Sequence, residues 1–110
     1  MTTTVAIPEI SAAAFIQRRE QGDAMTLLDV REDWEMSIAS VPGVVHIPMA
    51  QVQSRLTELD TNTDIVVLCR SGRRSLEVAK LLQLSGFRAL NLSGGLLAWS
   101  REIDPGIPTY

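Results

Sequence analysis

The 110-residue sequence contains one cysteine and one histidine, and each scarcity excludes a kind of site. A single cysteine cannot form an internal disulfide or a cysteine-rich metal centre. With one histidine, a histidine-based metal site is not expected either. We therefore predict no metal and no other cofactor, so that chemistry at Cys69 would be that of a free thiol.

The sequence also lacks long apolar runs, a basic leader and a strong net charge. No run approaches the roughly 20 residues of a membrane-spanning helix, and no signal peptide is visible. The formal net charge of −3 gives no reason to expect nucleic acid or an anionic membrane as a partner. Because a working thiol must stay reduced, we expect a cytoplasmic location.

Length and hydrophobic pattern predict one α/β domain over residues 1–110, and nothing in them requires more than a monomer. Strands and helices alternate, and the strands are continuous apolar runs. This pattern is typical of a mainly parallel sheet with helices on both faces. Strands are predicted at 5–7, 26–30, 44–47, 64–68 and 87–92, and helices at 11–20, 51–59, 75–85 and 96–101, with a short helix or turn from 31 that packs Trp34 inside.

Cys69 stands where the fourth strand ends and a helix begins, in the sequence Cys-Arg-Ser-Gly-Arg-Arg-Ser. Open α/β sheets bind ligands at this edge, where free amides and the helix dipole favour an anion. Arginines and a helix N-terminus lower the pKa of a thiol. The pattern therefore indicates a reactive thiolate in an anion cradle formed by the residues that follow it: Arg70, Ser71, Gly72, Arg73, Arg74 and Ser75.

The plainer interpretation is that Cys69 is a small buried hydrophobe, Gly72 an ordinary turn glycine and the arginines a solvated turn. Three arginines are poor neighbours for a thiol that is merely buried, which favours the functional interpretation. Such a thiolate could attack a soft sulfur or an electrophilic phosphorus. Attack on thiosulfate would leave sulfite and a persulfide, and no general base is required. We expect His46 to be structural or solvated.

Three stretches resemble the signatures of the rhodanese family, in the same order. They are Leu-Asp-Val-Arg-Glu at 28–32, the cysteine loop with its strand at 65–75, and Asn-Leu-Ser-Gly-Gly-Leu-Leu-Ala-Trp at 91–99. The resemblance implies the rhodanese fold and a sulfurtransferase in which Cys69 carries a persulfide, with the amides of 70–75 as its cradle. It also implies that the three loop arginines favour an anionic donor.

Other positions of the family pattern are expected to be structural. Asp29 and Arg31 match its Asp-Val-Arg element, and we interpret them as a charge pair that braces the sheet edge near the loop. Trp99 is expected to be core or pocket wall. Residues 39–44 read Ala-Ser-Val-Pro-Gly-Val where the family commonly has Gly-His-Ile-Pro-Gly-Ala. This departure concerns the packing of a turn and not the reaction.

The carboxyl-terminal segment, 98–110, is similar to the end of adenylyltransferase–sulfurtransferase proteins, which pass sulfur to ubiquitin-like carriers. This resemblance of the tail implies a sulfur-relay role. For the domain as a whole we expect a small-molecule sulfur donor, and thiosulfate, mercaptopyruvate and a desulfurase persulfide all stay open. The acceptor would be cyanide, a thiol or a sulfur-carrier protein, and thioredoxin or a cysteine desulfurase would be a further partner.

Two alternatives stay open from the sequence alone. A dual-specificity-type cysteine phosphatase or arsenate reductase shares the fold, but it places an arginine six residues after the nucleophile, where this chain has Ser75. A non-catalytic binding or regulatory module is the other alternative, although such a module would be expected to have lost its cysteine.

Overall fold

The computed structural model describes residues 6–110, which form a five-stranded sheet covered by helices on both faces. The strands are β1 (Glu9–Ile10), β2 (Met25–Asp29), β3 (Val45–His46), β4 (Asp64–Leu68) and β5 (Arg88–Leu92). The helices are α1 (Ala12–Glu20), α2 (Asp33–Ile38), α3 (Arg73–Leu84) and α4 (Gly95–Glu102). Within residues 6–110, no helix is both long and apolar enough to cross a membrane.

The strand order is β1-β5-β4-β2-β3, and every neighbouring pair is parallel. The predicted parallel α/β sheet is thereby confirmed. Because all strands run in one direction, their carboxyl ends meet at one edge, and β4 lies at the centre of that edge. The residue that follows β4 is Cys69.

Alternate residues of β4 face two separate apolar layers. Ile65 and Val67 pack beneath α3 with Val78 and Leu82, whereas Val66 and Leu68 pack against α1 and α4. These four apolar side chains are fully buried, as expected for a parallel strand covered on both sides. The central strand therefore has little freedom to shift, and the cysteine at its end has a fixed position.

The ends of the chain depart from the predicted elements. The sequence predicts a first strand at 5–7, whereas β1 begins after Pro8; Val5 lies outside the described residues. The carbonyl of Pro8 accepts the amide of Asn91 at 2.9 Å, so Pro8 is where pairing with β5 starts. The cap of α1 is as predicted, because the Ser11 side chain accepts the amide of Ala14 at 3.1 Å.

The prediction of an α-helix over 51–59 is wrong. The structure has two 3₁₀ segments, Met49–Gln51 and Gln53–Glu58, with a kink at Arg55 where φ is −121°. Hydrogen bonds three residues apart close these turns, including Arg55 N to Val52 O at 3.0 Å. The segment still buries Val52 and Leu59. The predicted apolar side chains therefore face the core, although the segment is 3₁₀ and not α-helical.

Candidate active site

The cysteine loop is fixed to the first turn of α4. The carbonyls of Cys69 and Arg70 accept the amides of Leu96 and Leu97 at 2.8 and 3.1 Å. Gly95 lies against the same two carbonyls, and a Cβ built on it would stand 2.5 Å from the Cys69 oxygen. Only glycine permits this close approach, which explains the glycine turn that precedes Leu96 in the sequence.

Gly72 turns the chain from the loop into α3. Its φ is +101°, a left-handed conformation that glycine adopts without strain. The helix then begins at Arg73, two residues before the predicted start at Ser75. Arg73, Arg74 and Ser75 therefore form its first turn, where amides have no partner within the helix.

The Cys69 sulfur lies inside this turn, and the residue is only 1% exposed. The amide of Gly72 donates to Sγ at 3.0 Å, the Ser75 hydroxyl lies 3.3 Å away, and the amides of Ser71 and Ser75 also face the sulfur. Burial raises the pKa of the thiol, but the hydrogen bonds from Ser75, Gly72 and Ser71 outweigh it, so the pKa is lowered. The loop can therefore hold negative charge on this sulfur.

Asn91 positions the Ser75 hydroxyl from the neighbouring strand β5. Its Oδ1 accepts from Ser75 Oγ at 2.5 Å, and its Nδ2 donates to the Gly72 carbonyl at 3.1 Å and to Glu9 at 2.9 Å. Ser75 and Asn91 are both buried. Because Ser75 has one proton to donate, Asn91 and a Cys69 thiolate compete for it. This role of Asn91 carries no local signal in the sequence, because Asn91 lies 16 residues beyond Ser75 on another element.

Arg74 is held by a buried carboxylate instead of pointing freely at the sulfur. Its two terminal nitrogens donate to the two oxygens of Glu35 at 2.6 and 2.8 Å. This pairing lowers the pKa of Glu35 to about 2, against the effect of burial, with further help from Tyr110 and the Glu32 amide. The hydrogen bonds to Glu35 raise the pKa of Arg74 in turn, against the effect of burial, and the nearby Cys69 adds a smaller contribution in the same direction.

Tyr110 joins the tail to both sides of the site. Its hydroxyl donates to Glu35 at 2.6 Å and accepts from Arg31 at 2.8 Å. Arg70 lies over its ring, 5.3 Å from the centroid, and donates from Nε to the Tyr110 main-chain oxygen. Burial and Glu35 raise the pKa of Tyr110 against the opposing effect of Arg31.

The three loop arginines thus have different surroundings, although the sequence placed them together beside the thiol. Arg74 pairs with Glu35 and Arg70 with Tyr110, whereas Arg73 is exposed and has no ion-pair partner among residues 6–110. Glu35 and Tyr110 were missed because they lie 39 residues before Arg74 and 40 residues after Arg70. No local pattern links positions so far apart in the sequence.

The residues expected to be structural lie around this centre. Asp29 and Arg31 form a fully buried ion pair at 2.9 Å, and Arg31 also donates to the Ala39 carbonyl at 2.8 Å. His46 Nε2 donates to the Arg31 carbonyl at 2.6 Å, which fixes the same turn. Trp99 packs on Phe15 in the core, with ring centroids 5.9 Å apart.

Trp34 differs from its prediction. Its side chain is predicted to pack inside, but the residue is 61% exposed. Its ring lies edge-on to the ring of Tyr110, with the two ring centroids 6.1 Å apart. In the short helix α2, the buried position is taken by Glu35, which turns inward to reach Arg74. The neighbouring Trp34 is therefore directed outward.

Comparison with protein-family models matches residues 11–102 to the rhodanese-like domain. The chain belongs to this family. The Bacillus subtilis protein named "Putative sulfurtransferase YtwF" is 40% identical over 90% of this chain and 96% of its own length. A rhodanese-like domain protein from Staphylococcus aureus has a similar crystal structure, with 26% identity and a TM-score of 0.82 over 94% of this chain and 99% of that one.

The resemblance of the tail to adenylyltransferase–sulfurtransferase proteins is also confirmed. The Arabidopsis thaliana protein "Adenylyltransferase and sulfurtransferase MOCS3" is 33% identical, over 92% of this chain and 25% of its own length. At residues 39–44, where the sequence departs from the family pattern, Ala39 and Val41 are buried. Among residues 6–110, no group of three or more acidic, histidine or cysteine side chains could hold a metal ion.

Proposed function

We propose that this rhodanese-type sulfurtransferase carries sulfane sulfur as a persulfide on Cys69. The single observation that supports this most directly is the cradle around Sγ, made by the amides of Ser71, Gly72 and Ser75 and by the Ser75 hydroxyl. A nucleophilic thiolate and a persulfide anion both need such donors. Membership of the rhodanese-like family supports the sulfurtransferase class.

The first half-reaction uses thiosulfate or a similar anionic donor. The Cys69 thiolate attacks the outer sulfur of the donor, a new S–S bond forms, and the old S–S bond breaks with its electron pair leaving on sulfite. The amides then face the charge of the outer persulfide sulfur. Arg73, which is exposed at the start of α3, is free to attract the donor anion.

The second half-reaction passes the outer sulfur to a nucleophile. Cyanide, a thiol or a sulfur-carrier protein attacks it, and the electron pair of the Cys69–sulfur bond returns to Sγ as the thiolate. No oxidant or reductant is consumed in either step. Thioredoxin and a cysteine desulfurase are proposed partners of the same cysteine, and a reducing cytoplasm would keep it active.

Thiocyanate formation from thiosulfate and cyanide tests this proposal. The wild-type protein and Ser71→Ala should turn over, because the exposed Ser71 contributes its amide and not its side chain. Cys69→Ser should form no thiocyanate. Equal thiocyanate formation by the wild type and Cys69→Ser would contradict the proposal. Hydrolysis of p-nitrophenyl phosphate without thiocyanate would favour the phosphatase, and a thiol inert to iodoacetamide would favour a binding module.

A further inference from the structure

A chain of hydrogen bonds joins the surface residue Glu9 to the sulfur of Cys69. Glu9 lies on β1 and is exposed, and its two carboxylate oxygens accept from Asn91 Nδ2 at 2.9 Å and from Ser93 Oγ at 3.1 Å. Asn91 Oδ1 accepts from the Ser75 hydroxyl at 2.5 Å, and the Ser75 oxygen lies 3.3 Å from the sulfur. The chain therefore ends on the proposed nucleophile.

The side-chain amide of Asn91 fits its surroundings in one orientation. Its nitrogen lies beside the Gly72 carbonyl, at 3.1 Å, and beside the Glu9 carboxylate, and both of these groups are acceptors. An amide turned the other way would place its oxygen against both of them. The Asn91 oxygen therefore faces Ser75, and the proton of the Ser75 hydroxyl is used in this bond.

The Ser75 hydroxyl has one proton, and its two neighbours compete for that proton when Cys69 ionises. While Cys69 is a thiol, its S–H can donate to the Ser75 oxygen, and the hydroxyl proton stays on Asn91. A thiolate can only accept, so the hydroxyl stabilises it by turning away from Asn91. The oxygen of Asn91, a residue that is 3% exposed, then loses this partner, and the loss opposes ionisation.

The main-chain donors to the sulfur do not compete in this way. The amides of Ser71, Gly72 and Ser75 are fixed by the loop and by the first turn of α3. The Gly72 amide, for example, donates to Sγ at 3.0 Å. Among the described donors to the sulfur, the Ser75 hydroxyl is the one that can turn, and Asn91 is the group that restrains it.

Charged and titratable side chains surround Cys69 on several elements. They are Arg70 and Arg73 of the loop and the start of α3, Arg74 with its partner Glu35 of α2, Tyr110 of the tail, and Glu9 of β1 behind Asn91. The helix α4 meets the loop through the main-chain amides of Leu96 and Leu97. A substitution at Asn91 leaves all of these groups in the chain, so its effect on ionisation can be compared directly with the wild type.

We propose that Asn91 is a positioning residue that withholds the Ser75 hydroxyl from the Cys69 sulfur and so restrains formation of the thiolate. This inference rests on the proposed function, in which Cys69 is the nucleophile. When the thiol loses its proton to solvent, the hydroxyl turns from Asn91 to the sulfur. When that sulfur forms the S–S bond of the persulfide, its negative charge is lost and the hydroxyl returns to Asn91.

The test compares two variants of Asn91 that lose the same donors. Asn91→Leu and Asn91→Asp both lose the bonds to Gly72 and Glu9, but only Asn91→Leu also loses the acceptor that faces Ser75. The ultraviolet absorbance of the thiolate is followed against pH, with Cys69→Ser as the blank. At a pH below the inflection, Asn91→Leu should contain about three- to tenfold more thiolate than the wild type, as expected for one competing hydrogen bond. Asn91→Asp, which keeps an acceptor and adds negative charge, should contain less.

Two further measurements show whether the effect passes through Ser75. In a Ser75→Ala background, the addition of Asn91→Leu should not increase the thiolate fraction. In the wild type, the side-chain carbonyl resonance of Asn91 should titrate together with Cys69, and this change should be largely lost in Ser75→Ala. The resonance needs no substitution at Asn91, so it tests the inference even where Asn91→Leu does not fold.

A thiolate fraction in Asn91→Leu that equals or falls below that of the wild type would overturn the inference, because loss of support for the loop weakens the amide cradle. So would an increase that persists without the Ser75 hydroxyl, or an Asn91 resonance that does not follow Cys69. None of these measurements needs a sulfur donor. A protein with the expected ionisation that forms no thiocyanate would therefore contradict the proposed function and still support the restraint by Asn91.

Discussion

The hydroxyl of Ser75 lies between two acceptors, the sulfur of Cys69 at 3.3 Å and the amide oxygen of Asn91 at 2.5 Å. Burial has the largest single effect on the pKa of the cysteine, and it raises that pKa. Among the groups that lower the pKa, the Ser75 hydroxyl contributes most. A serine six residues beyond the nucleophile is therefore part of the thiolate environment, and not only the position where a phosphatase would have arginine.

Ser75→Ala should raise the pKa of Cys69, because the thiolate loses a hydrogen-bond donor while burial still opposes its charge. The measurement is the rate of Cys69 alkylation by iodoacetamide as a function of pH. The inflection should move to higher pH in Ser75→Ala. Ser71→Ala, whose exposed side chain is not among the groups that shift this pKa, serves as the control. An unchanged inflection in Ser75→Ala would contradict this role.

Residues close in sequence were easier to predict than residues joined only by folding. Asp29 and Arg31 lie two residues apart at the end of a predicted strand, and in the structure they form a buried ion pair at 2.9 Å. Glu35 and Tyr110, which contact each other across 75 residues, carried no local signal. Their position depends on how α2 and the tail meet at the sheet edge.

At the scale of elements, the contact between α4 and the cysteine loop controls the position of the nucleophile. Gly95 has a φ of +59°, and an added Cβ would collide with main-chain oxygens of Cys69 and Arg70 at 2.5 and 2.6 Å. Because these are backbone atoms, they cannot move aside without shifting the loop. The glycine therefore sets the distance between the helix and the site.

Gly95→Ala should destabilise the fold by more than about 2 kcal/mol and lower the rate of Cys69 alkylation, since it combines backbone strain with a collision. Gly86→Ala is the matched control, because Gly86 also has a positive φ, +94°, but no atom lies within 4 Å of its added Cβ. We expect it to cost about 1 kcal/mol and leave alkylation unchanged. Urea unfolding and alkylation rates measure both effects. Equal behaviour of the two variants would refute the proposed contact.

Most of the fold could be predicted from periodicity, while boundaries and helix type could not. Buried parallel strands are largely apolar runs between turn residues, so β2, β4 and β5 were evident, although β5 also contains Arg88 and Asn91. In contrast, an apolar spacing of four and three residues suits an α-helix and also the kinked 3₁₀ segments that place Val52 and Leu59 in the core. The choice depends on the route between β3 and β4, which is a tertiary constraint.

At the scale of the whole molecule, a chain of charged and polar groups joins three distant parts of the sequence. Asp29 binds Arg31, Arg31 binds Tyr110, and Tyr110 binds Glu35, which in turn holds Arg74 of the cysteine loop. Breaking a buried pair leaves an uncompensated charge, so each link affects stability beyond its own hydrogen bond. The network therefore couples the tail and α2 to the site.

This network predicts a loss of stability in acid. The pKa of Glu35 falls from its ordinary 4.5 to about 2 on folding. The contribution of ionised Glu35 to the free energy of unfolding is therefore fully present above pH 4.5 and is lost as the pH falls towards 2. Because each pKa unit corresponds to 1.36 kcal/mol, this contribution to the free energy of unfolding is about 3 kcal/mol.

Urea unfolding between pH 7 and 2 tests this prediction. Glu35→Gln should be less stable than the wild type at pH 7, and the difference should disappear as the pH approaches 2. Glu58→Gln, which removes an exposed carboxylate paired with Arg55, should have a much smaller effect. A stability difference between wild type and Glu35→Gln that stayed constant over this pH range would show that Glu35 is not ionised as described.

The most direct test of the account is the intact mass of the purified protein after thiosulfate treatment, beside Cys69→Ser. The account predicts that the wild type gains one sulfur atom, that cyanide removes it, and that Cys69→Ser gains none. A wild-type protein that gained no sulfur from thiosulfate, inorganic polysulfide or a cysteine desulfurase would contradict it. So would a gain that persisted in Cys69→Ser, because no other cysteine is present to hold the persulfide.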